Sequence, residues 1–143
     1  MRINGEWLMC DDGITRPVIR AEILAGGDAW RAFELLVDTG ANRTVISANV
    51  LESLSIPTSP SQDRIGGVGG VVNSVTLRTQ IRLTRDDDGK VVFRGNYAAF
   101  TRHEALDMSV LGRDILDLFA VIVDRQAVVV SVIGGRHHYT ITS

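Results

Sequence analysis

One stretch of the chain places an acid, a hydroxyl and a glycine directly after an apolar run. Leu35-Leu36-Val37 leads into Asp38-Thr39-Gly40-Ala41. A carboxylate at the edge of a buried strand is costly unless it is hydrogen-bonded or paired. It therefore marks either a tight turn, which Asp and Gly favour, or a chemical site. If it is a site, the chemistry is proton transfer, because a carboxyl group can deprotonate water or protonate a carbonyl oxygen.

The elements before this stretch must deliver Asp38 to its position. Residues 17–24 alternate apolar and polar side chains, and residues 30–37 form the returning strand around the turn signal Gly26-Gly27-Asp28. Asp38 thus lies at the exit of a predicted hairpin. Beyond it, Ser47 is a candidate cap for a short helix over residues 48–54, which Pro57 stops.

The rest of the chain reads as further short strands. Residues 59–63 are predicted to be a loop, and residues 86–90 an exposed hairpin turn. The strands are predicted at residues 7–10, 75–83, 91–94, 97–100, 120–123 and 127–133. Residues 110–116 are predicted to be a short apolar strand that Gly112 breaks, followed by about one turn of helix through Phe119. Many short strands, regular turns and two short helices predict an all-β barrel or sandwich.

Size and composition indicate one soluble domain. The chain has 143 residues, 45% of them hydrophobic and 22% charged, with a net charge of -2. A chain of this length builds one hydrophobic core. Its basic residues are scattered, so neither a nucleic-acid footprint nor a polybasic membrane patch is expected. Peptides or other proteins are the expected partners.

The single cysteine, Cys10, excludes an intramolecular disulfide. The N-terminal sequence has no signal-peptide pattern, and no apolar run reaches the ~20 residues that span a bilayer. We therefore expect a cytoplasmic protein.

Four other motifs are better explained by structure than by ligand binding. Asp86-Asp87-Asp88-Gly89 has its glycine too early for a calcium loop, and His103-Glu104 lacks the second histidine of a zinc-protease helix. His137-His138 lies in a polar tail. Gly67-Val68-Gly69 lacks the last glycine of a dinucleotide motif. No metal or cofactor is expected.

Three segments in the right order resemble the retropepsin-like aspartic proteases, the single-domain relatives of pepsin. Leu36-Val37-Asp38-Thr39-Gly40-Ala41 matches the motif of their active-site loop. Ile65-Gly66-Gly67-Val68-Gly69-Gly70 is similar to their glycine-rich flap. Val110-Leu111-Gly112-Arg113-Asp114-Ile115-Leu116 is similar to the segment that packs behind the loop. The resemblance covers about residues 17–132 of a single domain spanning residues 1–143.

The resemblance implies a closed retropepsin-like β-barrel and an aspartic endopeptidase. It assigns catalytic, substrate-binding and supporting roles to separate residues. The catalytic residues are Asp38, Thr39 and Gly40; the substrate-binding residues are Ala41, Asn42, Gly67, Val68 and Gly69; the supports are Arg113 and Asp114. The Val68 amide would bind a water that bridges to the substrate carbonyls.

The chemistry needs two aspartates, because one carboxyl group must activate water while the other protonates the substrate carbonyl. The chain has one Asp-Thr-Gly, and no other aspartate is followed by Thr or Ser and then Gly. An active enzyme must therefore be a homodimer with one Asp38 from each copy. The alternative is a catalytically silent module of the same fold that binds peptides or mediates dimerisation.

Two departures separate the chain from retroviral relatives. Those enzymes carry an acid directly after Asp-Thr-Gly-Ala that can pair with the arginine of the third segment, whereas this chain has Asn42 and then Arg43. Loop support must therefore differ. Retroviral enzymes dimerise largely through short interleaved termini, whereas this chain has an N-terminal hairpin extension, residues 1–16, and a tail, residues 134–143.

Overall fold

A computed structural model describes residues 1–67, 70–137, 140 and 142. Its strands are β1 Arg2–Asn4, β2 Glu6–Met9, β3 Thr15–Leu24, β4 Trp30–Val37, β5 Val45–Ile46, β6 Ser59–Gly67, β7 Gly70–Thr84, β8 Lys90–Ala99, β9 Val110–Leu111, β10 Ala120–Asp124 and β11 Val129–Ile133. The α-helices are α1 Ala48–Leu54 and α2 Arg113–Leu116, and short 3₁₀ turns cover Gly26–Asp28 and His103–Ala105.

Six strands close into a barrel. Following hydrogen-bonded neighbours leads from β3 through β4, β9, β5, β8 and β7, and the pairing of β7 with β3 completes the ring. The β4–β9 and β5–β8 pairs are parallel and the others antiparallel, so the barrel is mixed. The predicted all-β barrel with short helices is confirmed. Strands β1, β11 and β10 form a separate three-stranded sheet.

The barrel interior is filled by branched aliphatic side chains. Alternation along β3 and β7 directs every second residue inward, as expected for strands with one covered face. Fully buried members include Ile19, Ile23, Leu35, Ile46, Leu77, Ile81, Leu83 and Leu111. One core therefore supports both strands, β4 and β9, that lead into the Asp38 loop.

Local predictions hold for most elements, but strands β1 and β5 were not predicted, and the predicted strands 91–94 and 97–100 form the single strand β8. Strand β4 and helix α1 have the predicted bounds. Residues 59–63, predicted to be a loop, instead belong to β6, which pairs with β7 across an irregularity between Pro60 and Arg64. Proline and serine favour turns locally, but pairing with the long strand β7 overrides that preference.

None of the helices in the described part of the chain has the length and apolar character needed to cross a bilayer.

An ion-pair cluster ties β3 to the β7–β8 hairpin and predicts a pH-dependent contribution to stability. The Arg82 guanidinium lies 2.8 Å from the Glu22 carboxylate and the Lys90 amine 3.1 Å from it. Hydrogen bonding from Arg82, followed by Lys90, lowers the pKa of Glu22 from its ordinary value of 4.5 to about 2. A depressed carboxyl pKa stabilises the fold above the unfolded value and loses that effect as pH falls through the folded value.

We therefore expect Glu22→Gln to lower the free energy of unfolding by about 1 kcal/mol at pH 7, since the pair is partly solvated. Between pH 4.5 and about 2 the difference from wild type should shrink to nothing. Urea denaturation at several pH values measures it. Glu34→Gln is the control, because the partner of Glu34, Arg20, is 69% exposed. A difference that is constant across this pH range would contradict the ion-pair explanation.

Candidate active site

The loop that carries Asp38 joins β4 to β5 and is held by the short strand β9. Val110 pairs with Leu36 of β4 on one side and with Val45 of β5 on the other. Directly after this contact, the Asp38 amide donates to the Leu111 carbonyl at 3.2 Å. Both ends of the loop are thus fixed to the same buried strand.

The Asp38 carboxylate is oriented by its own loop. Its Oδ1 accepts the Gly40 amide at 2.9 Å, and its carbonyl accepts the Ala41 amide at 3.2 Å. A side chain at residue 40 would bring a Cβ to 3.2 Å from Oδ1, so glycine leaves room for this hydrogen bond. Within the described residues, Asp38 Oδ2 accepts no hydrogen bond. One carboxylate oxygen is held and the other is available.

The loop presents its predicted reactive residues to the outside. Thr39, Gly40 and Asn42 are exposed, whereas Asp38 and Ala41 are half-buried. The Thr39 hydroxyl makes no hydrogen bond to the described part of the chain. The structure therefore brings the catalytic candidates together on one loop at the surface, where a single copy leaves them uncovered.

Arg113 contacts this loop from α2. Its amide donates to the Ala41 carbonyl at 2.8 Å, and its guanidinium donates to the side-chain oxygen of Asn42. An amide oxygen thus accepts the arginine at the position where the sequence resemblance leads us to expect an acid. This explains how the loop is supported without a carboxylate at residue 42.

Asp114 holds the far end of the loop through Thr44, a residue that sequence reasoning did not single out. The Asp114 carboxylate accepts the Thr44 amide at 2.9 and 3.0 Å and the Thr44 hydroxyl at 2.6 Å. The same hydroxyl accepts the Gly112 amide at 3.1 Å. Thr44 is fully buried. A threonine directly before the buried pair Val45-Ile46 is the only sequence signal, and it does not reveal a partner 70 residues away.

Tyr97 lies close to the hydrogen bonds that join Thr44 to Asp114 and Gly112, which we call the clamp. Burial, and then the negative charge of Asp114, raise the pKa of Tyr97 to about 12. The phenol stays protonated and donates to the Phe93 carbonyl at 3.0 Å. Tyr97 therefore remains a neutral support of β8 at any ordinary pH.

The predicted flap falls on the β6–β7 hairpin. Gly66 pairs with Val71 and Gly67 with Gly70 in antiparallel register. Val68 and Gly69, predicted to bind substrate with Gly67, lie outside the described residues. The role of these three residues stays a prediction.

The described residues contain no cluster of three or more His, Cys, Asp or Glu side chains that could hold a metal ion. In the acidic turn, Asp87 accepts the Gly89 amide at 3.0 Å and pairs with Arg85. Asp87 therefore stabilises the turn in which it lies.

Substitutions of Thr44 measure how much the hydrogen bonds of the clamp contribute to the free energy of unfolding. Thr44→Val keeps the shape of the side chain but leaves the buried Gly112 amide without its acceptor and removes a donor from Asp114. We expect a loss of about 2 kcal/mol in the free energy of unfolding. Thr44→Ser keeps the hydroxyl and should lose about half as much, since only a methyl group is removed. Chemical denaturation measures both, and equal losses would show that the hydrogen bonds contribute nothing.

The sequence was compared with models of protein families and with curated proteins. Residues 29–117 match the family model described as "gag-polyprotein putative aspartyl protease". No curated protein matches the chain. The matched range contains the Asp38 loop, the β6–β7 hairpin and α2.

Two solved structures share the fold. A retropepsin-like aspartic protease from Rickettsia conorii matches with a TM-score of 0.55 and 16% identity, over 92% of this chain and 90% of that one. The EIAV protease, complexed with the inhibitor HBY-793, matches with a TM-score of 0.53 and 24% identity, over 71% of this chain and 86% of that one.

Proposed function

Because the chain belongs to the retropepsin-like aspartyl protease family, we propose that it is an aspartic endopeptidase that is active as a homodimer. Each copy contributes one Asp38 to a shared dyad. The observation that carries the proposal is the Asp38 loop itself. It is clamped at both ends, exposed at the surface and equipped with half of the carboxylates that the reaction needs.

The proposed reaction proceeds without a covalent intermediate. Two carboxyl groups close together share one proton, so one is charged and the other neutral. The charged Asp38 takes a proton from a water molecule, whose oxygen attacks the peptide carbonyl carbon. The neutral Asp38 of the other copy gives its proton to the carbonyl oxygen. The Asp38 that received the proton from water then gives it to the leaving nitrogen, the other Asp38 takes a hydroxyl proton back from the tetrahedral intermediate, and the C–N bond breaks as the C=O bond re-forms.

The neighbouring residues keep this dyad in position. The Gly40 amide orients the carboxylate, and the Thr39 hydroxyl bridges to the loop of the second copy. Arg113 and Asp114 act as positioning residues, because they contact Asn42 and Thr44 and not the reacting atoms. A substrate held as an added strand would lie between Ala41, Asn42 and the flap residues Gly67, Val68 and Gly69.

Incubation with an unstructured protein across acidic to neutral pH tests the proposal. Wild type should cleave it and Asp38→Asn should not. Activity per subunit should also rise with protein concentration until the dimer is saturated. Absence of cleavage by a demonstrated wild-type dimer would instead support the silent peptide-binding module.

A further inference from the structure

A groove lies between the turn that joins β3 to β4 and the exposed face of the β7–β8 pair. Its volume is about 510 Å³, which is within the usual range for ligand sites. The turn Gly26–Asp28 forms one wall, and residues 78–80 and 94–96 form the other. None of the described residues that line it belongs to the Asp38 loop. We call it the β7–β8 groove.

The two walls of the groove are held in place by hydrogen bonds and close packing. The Thr79 hydroxyl donates to the Leu24 carbonyl at 2.7 Å, which ties β7 to the start of the turn. Behind the turn, a Cβ at Gly26 would lie 2.4 Å from the Ser55 carbonyl oxygen, so the turn packs directly on the segment that follows α1. The groove is therefore formed before any ligand arrives.

Two arginines lie diagonally across the strand pair that forms the second wall. In the antiparallel register, Arg78 is opposite Asn96 and Gln80 is opposite Arg94. Diagonal neighbours on such a pair are about 7–8 Å apart, within reach of long side chains. The two guanidinium groups can therefore bind one carboxylate or two adjacent ones. The amide groups of Gln80 and Asn96 add further N–H donors at the same place.

The positive charge of these two arginines is not neutralised by the chain. Within the described residues, the guanidinium groups of Arg78 and Arg94 have no hydrogen-bond or ion-pair partner. Many other arginines have an acidic partner. They are Arg2, Arg16, Arg20, Arg82, Arg85 and Arg102. Among the described residues that line the groove, Asp28 is the one acid. The groove thus has an excess of positive charge, which suits an anionic ligand.

The groove also presents apolar surface beside the arginines. Leu24 on β3 and Ile56 on the segment after α1 line it, and both side chains are only half-buried. An inorganic anion would use the guanidinium groups and leave this surface exposed. A peptide that carries both carboxylates and aliphatic side chains would use both parts, since ligand sites combine apolar lining with a few polar groups.

We propose that the β7–β8 groove binds an acidic, partly aliphatic stretch of a polypeptide, with its carboxylates on Arg78 and Arg94. The inference rests on the proposed function, because the polypeptide is then a substrate that is held away from the bond to be cleaved. Strand β7 runs from the groove back to Gly70, in the β6–β7 hairpin. At ~3.3 Å per residue, the distance along β7 from Gly70 to Arg78 is roughly 26 Å. About eight extended residues of substrate span that length.

Binding to the Asp38→Asn protein tests the groove separately from catalysis. The probe is a short fluorescein-labelled peptide of alternating glutamate and leucine, and a glutamine–leucine peptide is its uncharged counterpart. In fluorescence anisotropy, Arg94→Glu should weaken binding of the glutamate peptide about 10-fold or more, because it replaces an attractive charge with a repulsive one. Arg31→Glu makes the same change at an exposed position of β4 outside the groove and should have little effect. Circular dichroism checks that both variants fold.

Asp28→Asn should have the opposite effect on the same probe. Removing the acid from the groove should strengthen binding of the glutamate peptide about 2-fold, the usual size of an exposed charge effect. Asparagine tolerates the left-handed backbone of Asp28, whose φ is 62°, so the turn should keep its shape. A loss of affinity in Asp28→Asn would contradict an anionic ligand.

Three results would overturn the groove proposal. They are equal affinities of Arg94→Glu and Arg31→Glu, equal binding of the two probe peptides, and displacement of the glutamate peptide by inorganic phosphate at an equal concentration of charge. With the active protein, an acidic stretch added about eight residues from the cleaved bond should lower KM about 10-fold, and Arg94→Glu should remove this gain. Cleavage without the gain overturns only the groove. Probe binding without cleavage by a demonstrated wild-type dimer overturns only the peptidase.

Discussion

Asp38→Asn is expected to abolish peptide hydrolysis while the fold is retained. The amide has the shape of the carboxyl group but cannot exchange a proton with water or substrate, so kcat/KM should fall by about 10³-fold or more. The Asn side-chain oxygen can still accept the Gly40 amide, and Asp38 is only half-buried. Thermal unfolding should therefore change little. Asp107→Asn, at an exposed aspartate outside the loop, should keep both activity and stability.

Mixing the two proteins separates a shared dyad from independent sites. If subunits exchange at random, an equal mixture of wild type and Asp38→Asn contains about one quarter wild-type dimers, so about one quarter of the activity remains. If each copy worked alone, half would remain. Titrating the mutant at constant total protein distinguishes a quadratic from a linear decline. A linear decline would rule out a dyad built from two copies of Asp38.

Sequence patterning predicted those elements whose periodicity is enforced by one buried face. Strand β4 alternates towards a closed core, and its bounds were predicted to the residue. Helix α1 was predicted equally well, but its capping residue behaves differently. Ser47 makes no side-chain cap; its amide donates to the Ser109 hydroxyl at 2.9 Å, and the two hydroxyls lie 3.3 Å apart. The preference of serine for helix starts predicted where the helix begins. The contact with Ser109, however, determines the hydrogen bonding of Ser47.

In the candidate site, too, the short motifs could be predicted from the sequence, whereas the long-range contacts could not. Asp38-Thr39-Gly40 and its supporting segment were recognisable because each is a short motif with a defined chemical use. The connection between them was not, because it depends on Thr44, whose hydroxyl bonds across 70 residues to Asp114. Asn42 was recognised as a departure from the expected acid, but only the structure shows that its amide oxygen accepts Arg113. Long-range hydrogen bonds produce no periodic pattern of residues in a sequence.

Gly112 is the position where a single methyl group should damage both stability and activity. A Cβ there would lie 2.3 Å from the carbonyl carbon and oxygen of Arg43 and 2.8 Å from the Thr44 amide nitrogen. These are backbone atoms, so no side chain can rotate away. The backbone angles of Gly112, φ -102° and ψ -175°, suit any residue. The expected cost of Gly112→Ala is therefore steric and not conformational.

We expect Gly112→Ala to lower the free energy of unfolding by about 3 kcal/mol or more, and the melting temperature by roughly 10 °C. Relief of the overlap must separate residue 112 from Arg43 and Thr44, which lie on the loop that carries Asp38. A shift of about 1 Å can cost 10²-fold in rate. The protein that stays folded should therefore lose a similar factor in kcat/KM.

Gly95→Ala provides the control for this prediction. Gly95 lies on β8, and the nearest atoms to an added Cβ belong to the Tyr97 ring at 3.8 Å, an ordinary contact. The same chemical change there should alter the free energy of unfolding by no more than about 0.5 kcal/mol. Calorimetry and cleavage assays on both variants show whether a methyl group that overlaps the loop backbone, at residue 112, costs more stability and activity than one in ordinary contact, at residue 95. If the two variants melt and cleave alike, close packing of Gly112 does not position Asp38.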